Sequence, residues 1–382
     1  MSDYYTFRKF TIDAHGYSVT VVGKPGVWSW DRLDPGTAAL LEVAEVGRGD
    51  TVLDLGCGTG VIGTAAAQVP PGRVTLVDCN VAAVACAERT LAANDLSNAL
   101  VQLADGVNGF SPDSFDLVLS HLPRGRAVQE ELIRGAAWVL RPGGRFYFVA
   151  HKRVGVKGAI AYSRDLFGHC GVVRQKKGYH VALATKPDGL EPPPPAESYI
   201  IHTVVLDGIE TTLVSKPGVF AWDRLDDGTA ALVGAMEIGA GDVVLDLGCG
   251  TGLAGLAAAR HASEGQVVLV DADTRAVESA RRTLAINGIA NGEALLSDCA
   301  AAVLERRFDV VITNPPFHQG VGVDYEVACQ FVRDAARVLR PGGRLFLVAN
   351  RFLRYGDLIE EVFGSVETAY ADNHYHVLAA VR

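Results

Sequence analysis

The chain is written twice. Lys24-Pro25-Gly26-Val27-Trp28-Ser29-Trp30-Asp31-Arg32-Leu33-Asp34 returns as Lys216-Pro217-Gly218-Val219-Phe220-Ala221-Trp222-Asp223-Arg224-Leu225-Asp226. At the same shift, Asp54-Leu55-Gly56-Cys57-Gly58-Thr59-Gly60 returns as Asp246-Leu247-Gly248-Cys249-Gly250-Thr251-Gly252. A repeat spanning half of 382 residues implies one fold used twice, each copy near the usual size of a single-core domain. The copies part at one corner. Where the second reads Asn314-Pro315-Pro316-Phe317, the first reads His121-Leu122-Pro123-Arg124. The architecture is doubled, and the reactive corner occurs once.

Composition closes off several classes. Hydrophobic residues at 49% and charged residues at 21% describe a globular chain rather than a disordered one. No apolar run reaches the ~18 residues of a membrane span, and the N-terminus has no signal-peptide pattern, so a cytoplasmic address without membrane contact is expected. Seven scattered cysteines without a Cys-x-x-Cys pair predict neither a disulfide framework nor a metal site. Cys57 and Cys249 read as small residues packed in a tight turn. Charge is uneven: residues 1–190 carry 20 Lys/Arg against 18 Asp/Glu, and residues 191–382 carry 15 against 26. Within 141–186 ten basic residues meet one acid, whereas 340–382 is balanced at five and five. A basic stretch in one sister copy suggests an anionic partner there, against the plainer reading of a solvated face.

Four consecutive prolines, Pro192 to Pro195, favour an extended spacer and mark residues 187–196 as a linker between domains 1–186 and 197–382. Each copy opens on an alternating segment around a glycine turn, at His15-Gly16 and Asp207-Gly208, which predicts a β-hairpin. Strands and helices then alternate. In copy two, strands are expected at 243–247, 266–271, 293–298, 308–314 and 344–349, with helices at 274–287 and 325–339. Arg340-Pro341-Gly342-Gly343 reads as the turn that stops the second helix. The tail, His374-Tyr375-His376-Val377, reads as a closing antiparallel strand. The predicted fold is a doubly wound, mostly parallel α/β sheet, twice over.

Asp246 and the glycines Gly248, Gly250 and Gly252 fall where the first strand turns into a helix. There the backbone can approach a ligand and free N–H groups are on offer. Asp271 closes the second strand, placed for ribose hydroxyls, and Asp298 closes the third, placed for an adenine amino group. No Lys-Ser/Thr follows the glycines, which excludes an NTP phosphate loop. Val-Leu-Asp-Leu-Gly-Cys-Gly-Thr-Gly resembles motif I of the class I methyltransferases that use S-adenosylmethionine. The resemblance implies a Rossmann-like domain with the cofactor's amino-acid part near Asp246, its ribose on Asp271 and its adenine at Asp298.

Asn314-Pro315-Pro316-Phe317 follows the fourth strand, beside the cofactor crevice. An exocyclic amine on a ring is a poor nucleophile because its lone pair is delocalised. Hydrogen bonds to the Asn314 oxygen and the Pro315 carbonyl would pull it toward tetrahedral geometry, and Phe317 offers a stacking face for a flipped base. With His318-Gln319-Gly320, with Val348-Ala349-Asn350-Arg351-Phe352-Leu353-Arg354-Tyr355, and with Lys216 to Thr229, the chain resembles the ribosomal RNA guanine-N2 methyltransferases, closest to their small-subunit type C. That family pairs a degenerate N-terminal copy, which aids folding and RNA binding, with a catalytic C-terminal one. Thr229, in the matching segment before motif I, is a further candidate cofactor contact.

The resemblance implies transfer of a methyl group to guanine N2 in ribosomal RNA, within a ribosomal subunit, by a monomer whose duplication stands in for a dimer. Lys152, Arg153, Lys157, Lys176 and Lys177 are the candidate RNA contacts, with His318 as a base-contacting or structural residue. Copy one retains Asp54, Gly56, Gly58, Gly60, Asp78 and Asp105, either as a working cofactor loop or as packing; packing is the favoured reading. Recurrence of Trp28 and Trp30 at Phe220 and Trp222 reads as core packing, and Tyr375-His376 as structural. Methylation of large-subunit guanine N2, adenine N6 or a release-factor glutamine shares the Asn-Pro-Pro-aromatic corner. A non-catalytic cofactor- or RNA-binding module is the reading from another class.

Overall fold

Short apolar runs without alternation become interior strands. Val243–Leu247 and Gln266–Asp271 are buried along nearly their whole length, as parallel strands covered on both faces must be. The computed structural model describes residues 4–14, 16–69, 72–195, 199–316 and 322–382. It forms two compact units, Met1–Glu197 and Ser198–Arg382.

In the first unit the elements run β1 Arg8–Ala14, β2 Tyr17–Gly23, α1 Pro35–Leu41, β3 Val52–Leu55, α2 Val61–Ala67, β4 Val74–Asp78 and α3 Val81–Ala93. They continue as β5 Ala99–Leu103, β6 Phe115–His121, α4 Arg126–Val139, β7 Leu140–His151, α5 Val156–Phe167, β8 Cys170–Lys176 and β9 Tyr179–Thr185. The second unit repeats the series: β10 Ile200–Leu206, β11 Ile209–Ser215, α6 Asp227–Ala235, β12 Val243–Leu247, α7 Leu253–His261, β13 Gln266–Asp271 and α8 Thr274–Ile286. It ends with β14 Gly292–Leu296, β15 Phe308–Thr313, α9 Gly322–Val338, β16 Leu339–Asn350, α10 Tyr355–Phe363, β17 Glu367–Ala371 and β18 Tyr375–Val381.

Each unit holds a seven-stranded sheet, ordered β5-β4-β3-β6-β7-β9-β8 in one and β14-β13-β12-β15-β16-β18-β17 in the other. Neighbours from β14 to β16 pair in parallel, and β18 closes antiparallel against β16 and β17. The chain reverses its order between β12 and β15. A doubly wound sheet opens its ligand crevice at that switch point, beyond the carboxyl ends of the strands.

The opening hairpins form two-stranded sheets of their own. In β10–β11 the turn residues Asp207 and Gly208 both take positive φ (51° and 72°), which matches the twist of paired strands. The outer edge of β11 is capped by side chains of α8. Asn287 exchanges hydrogen bonds with Thr212 at 3.0 and 2.6 Å, and the Thr283 hydroxyl bridges the Val214 N–H and carbonyl. Asn94 and Thr90 do the same for β2.

One expectation needs correction. Arg340-Pro341-Gly342-Gly343 does not precede the strand; it lies within β16, which starts at Leu339 and absorbs the extra residues as a register shift against β15. The expected closing strand at the tail is β18, antiparallel to β16, and β17 adds a further antiparallel strand outside it.

Candidate methyl-transfer site

Three glycines with positive φ (78°, 53° and 81° at Gly248, Gly250 and Gly252) carry the chain from β12 into α7. A Cβ on Gly252 would lie 2.8 Å from that of Ala280, so this glycine lets α7 pack on α8, while a Cβ on Gly250 would meet nothing within 4 Å. Gly250 therefore faces open space, where a ligand can approach the backbone. Carboxylates stitch the loop into place. Asp271 accepts from Gly250 N at 2.9 Å and from Asp273 N at 3.0 Å, and Asp246 accepts from Gly255 N at 2.8 Å. Burial, opposed in part by these bonds, pushes the Asp246 carboxyl up to about 7 and that of Asp271 to about 6. Asp298 lies two residues beyond β14 rather than at its last residue.

Asn314 is the first residue after β15. Its Nδ2 donates to Asp226 Oδ2 at 3.1 Å and to Thr229 Oγ1 at 3.0 Å. Asp226 is also the N-cap of α6, accepting from Thr229 N at 2.9 Å. Two acceptors at fixed positions determine which way the amide lies, and among the described residues nothing donates to its oxygen. Pro315 is buried and Pro316 exposed; Phe317 and His318 lie outside the described residues. Asp226 is the residue that sequence reasoning missed. Its signal was the recurrence of Leu-Asp-x-Gly-Thr, in which only the threonine was singled out.

Copy one keeps this socket and changes its occupant. Thr37 Oγ1 sits 3.0 Å from His121 Nδ1, with Asp34 at 3.6 Å, and Tyr179 donates to Asp34 at 3.0 Å. Its glycine loop repeats the bonding, with Gly58 N to Asp78 at 2.9 Å and Gly63 N to Asp54 at 2.7 Å. Leu122 is buried where Pro315 stands in copy two, and Arg124 is exposed in the place of Phe317.

The basic stretch divides into two sets. Lys152 and Arg153 on the turn after β7, Lys157 on α5 and Lys177 on the β8–β9 turn are exposed, and Lys152 N donates to Gly178 O at 2.8 Å, joining two of these loops. Lys176 instead pairs with Glu42, as does Arg174 at 2.9 Å; Lys186 is buried against Asp113, and Arg141 pairs with Asp116 at 2.8 Å. The core-packing expectation for the repeated aromatics holds for Trp30, which is buried, but not for Phe220 and Trp28, which are 55% and 53% exposed. Recurrence in two copies marks a shared surface as readily as a shared core.

Among the described residues no cluster of His, Cys, Asp or Glu could hold a metal ion, and no helix is long and apolar enough to cross a membrane. The model of the methyltransferase small domain family matches twice, over residues 18–183 and 210–379. The ribosomal RNA small subunit methyltransferase C of Pseudomonas aeruginosa is 36% identical over 269 residues, 68% of this chain and 77% of its own length. The protein of the same name from Hahella chejuensis is 34% identical, over 70% of this chain and 78% of its own length. The chain belongs to the ribosomal RNA small subunit methyltransferase C family. A solved member, the T. thermophilus 16S rRNA N2 methyltransferase in complex with AdoMet and guanosine, superposes with a TM-score of 0.85. It is 34% identical and the match covers 98% of both chains. The double match of the family model and the full-length superposition agree with the duplicated architecture.

Proposed function

We propose that this chain transfers a methyl group from S-adenosylmethionine to the exocyclic N2 of a guanine in small-subunit ribosomal RNA, and that its C-terminal unit performs the reaction. The observation that carries this reading is the Asn314 amide beside the glycine loop, held by Asp226 and Thr229 with nothing among the described residues donating to its oxygen.

The residues present fit the cofactor. Gly250 leaves open space over its backbone and Asp271 ends β13; Asp271 would hold the ribose hydroxyls, with Asp246 and Gly248 on the amino-acid side and Asp298 toward the adenine. Bound S-adenosylmethionine supplies an electrophilic methyl on a sulfonium centre. The chain's task is to present the nucleophile. Asn314 Oδ1 and the Pro315 carbonyl accept the two amine hydrogens, which turns the nitrogen lone pair out of conjugation and toward the crevice. The two prolines fix the backbone that carries this carbonyl, and Phe317 supports the flipped base. The arrangement works by position and electrostatics, and the amine's surplus proton can leave to water after transfer. Lys152, Arg153, Lys157 and Lys177, with Lys176 beside them, dock the RNA phosphates on copy one. The working form is a cytoplasmic monomer.

The test is transfer of tritiated methyl to ribosomal subunits and to naked rRNA from a strain lacking this protein, followed by digestion to nucleosides. N2-methylguanosine that disappears with Asn314→Ala is the expected outcome. Label in adenine N6, or in a release factor instead of RNA, would overturn it.

A further inference from the structure

Apart from Thr229 on α6, the residues assigned to the cofactor lie at or just beyond the ends of β12, β13 and β14, on one side of Asn314. The sheet continues on the other side through β16 and β18, and an acceptor nucleotide has to enter over that half. What stands there is the segment Arg351-Phe352-Leu353-Arg354-Tyr355, which the reaction chemistry does not use. Its turn is fixed by Leu353 N to Asn350 O at 2.9 Å and Arg351 N to His374 O at 3.0 Å. Phe352 is 59% exposed, and Arg351 and Arg354 are exposed on either side of it. Tyr325, on the first turns of α9, is 51% exposed. It stacks on the fully buried Tyr355 with ring centroids 6.0 Å apart and planes 14° from parallel.

The sister copy supplies a control. β16 and β7 share the same twelve-residue burial pattern, which sets the register between the copies. In that register Arg153 answers Phe352 and Arg126 answers Tyr325; in the register of β6 with β15, Arg124 answers Phe317. The catalytic copy therefore carries aromatic rings where the degenerate copy carries guanidinium groups. Packing does not account for Phe352, which faces water here and is replaced by charge in the sister copy, while Tyr325 packs one face on Tyr355 and leaves half of its surface exposed. Exposed rings interleaved with arginines suit unpaired nucleotides, whose bases stack on aromatics and whose phosphates meet cations. Extruding a base from a helix also strips its neighbours of their stacking partner.

We propose that Phe352 and Tyr325 form a stacking platform for the unpaired nucleotides next to the methylated guanine, with Arg351 and Arg354 meeting their phosphates. The proposal rests on the RNA reading above and assigns these residues positioning roles, since they act on the neighbours of the reacting base.

The experiment measures methyl transfer to rRNA and, by fluorescence anisotropy, binding of a short single-stranded RNA whose guanine is flanked by normal or abasic nucleotides. It uses the full chain and its Phe352→Ala, Phe352→Leu, Phe352→Trp and Tyr325→Ala variants. Phe352→Ala and Phe352→Leu should lower RNA affinity and kcat/KM about tenfold or more, with Phe352→Trp restoring both. Melting temperature and S-adenosylmethionine affinity should not move. Abasic flanks should weaken the parent protein by a similar factor and leave Phe352→Ala unaffected. Unchanged transfer by Phe352→Ala, or equal rescue by leucine, overturns the platform while the methyltransferase reading stands. A loss seen on whole subunits but not on naked RNA overturns it in favour of a protein contact. If the parent methylates no guanine in RNA, both readings fall together.

Discussion

Asn314 is useful because of what its nitrogen is already doing. An amide free to rotate would present NH2 or oxygen alternately, and only oxygen can accept from the substrate amine. Asp226→Ala removes the strong anchor without touching the crevice. It should lower kcat by about ten- to a hundredfold with the S-adenosylmethionine Kd unchanged, in single-turnover and calorimetric measurements; Asn314→Ala should cost 10²–10³-fold, as for the loss of one oriented hydrogen-bonding group. The carboxylates of the two glycine loops make a second residue-scale case. Asp54 and Asp246 are raised to about 7 by burial, and Asp54 Oδ1 has no partner among the described residues. A folded-state value above the unfolded carboxylate's means the fold holds the proton more tightly. Stability from this source is full below the unfolded value of about 4 and is lost as pH rises toward 7. The ligand-free protein should therefore melt several degrees lower at pH 8 than at pH 5, with Asp54→Asn flattening part of that slope. Cofactor binding runs the other way: Asp271, raised to about 6, accepts ribose hydroxyls best when ionised, so affinity should weaken several-fold from pH 7.5 to pH 5.5 by calorimetry.

At the scale of elements, close approach and edge capping do most of the positioning. Gly252→Ala would drive a Cβ into Ala280 at a residue with φ of 81°, and should destabilise the second unit by roughly 1–3 kcal/mol in urea unfolding. The strand–helix alternation was legible because interior strands carry unbroken apolar runs and helices carry their 3.6-residue stripe. What sequence alone misplaced were features decided by a neighbour. The Arg-Pro-Gly-Gly segment reads as a stop signal, yet β15 recruits it into β16 through a bulge. Asp226 caps α6, and nothing local in the sequence reveals that Asn314, 88 residues away, donates to the same oxygen. Phe220 reads as core because Trp28 repeats it, while both face solvent.

For the whole molecule, the division of labour follows the charge. The second unit carries the acidic excess and the reactive corner; in the first, the exposed Lys152, Arg153 and Lys177 sit on adjoining loops. Reversing those three together should weaken RNA binding and flatten the dependence of log K on log salt by about two units, without altering S-adenosylmethionine affinity. The charge contrast was visible in the sequence, but ten basic residues overstated the patch. Lys176, Lys186, Arg141 and Arg174 are held by acids that lie far away along the chain.

The Asp–Thr socket that grips an amide in one copy and an imidazole in the other has an evolutionary consequence. A spare copy can exchange its chemical residue without leaving the cap of the following helix unsatisfied, so loss of activity there carries no folding penalty. Divergence after the duplication was free to proceed at that corner. The same tolerance makes the dormant corner a site where an asparagine could be installed again.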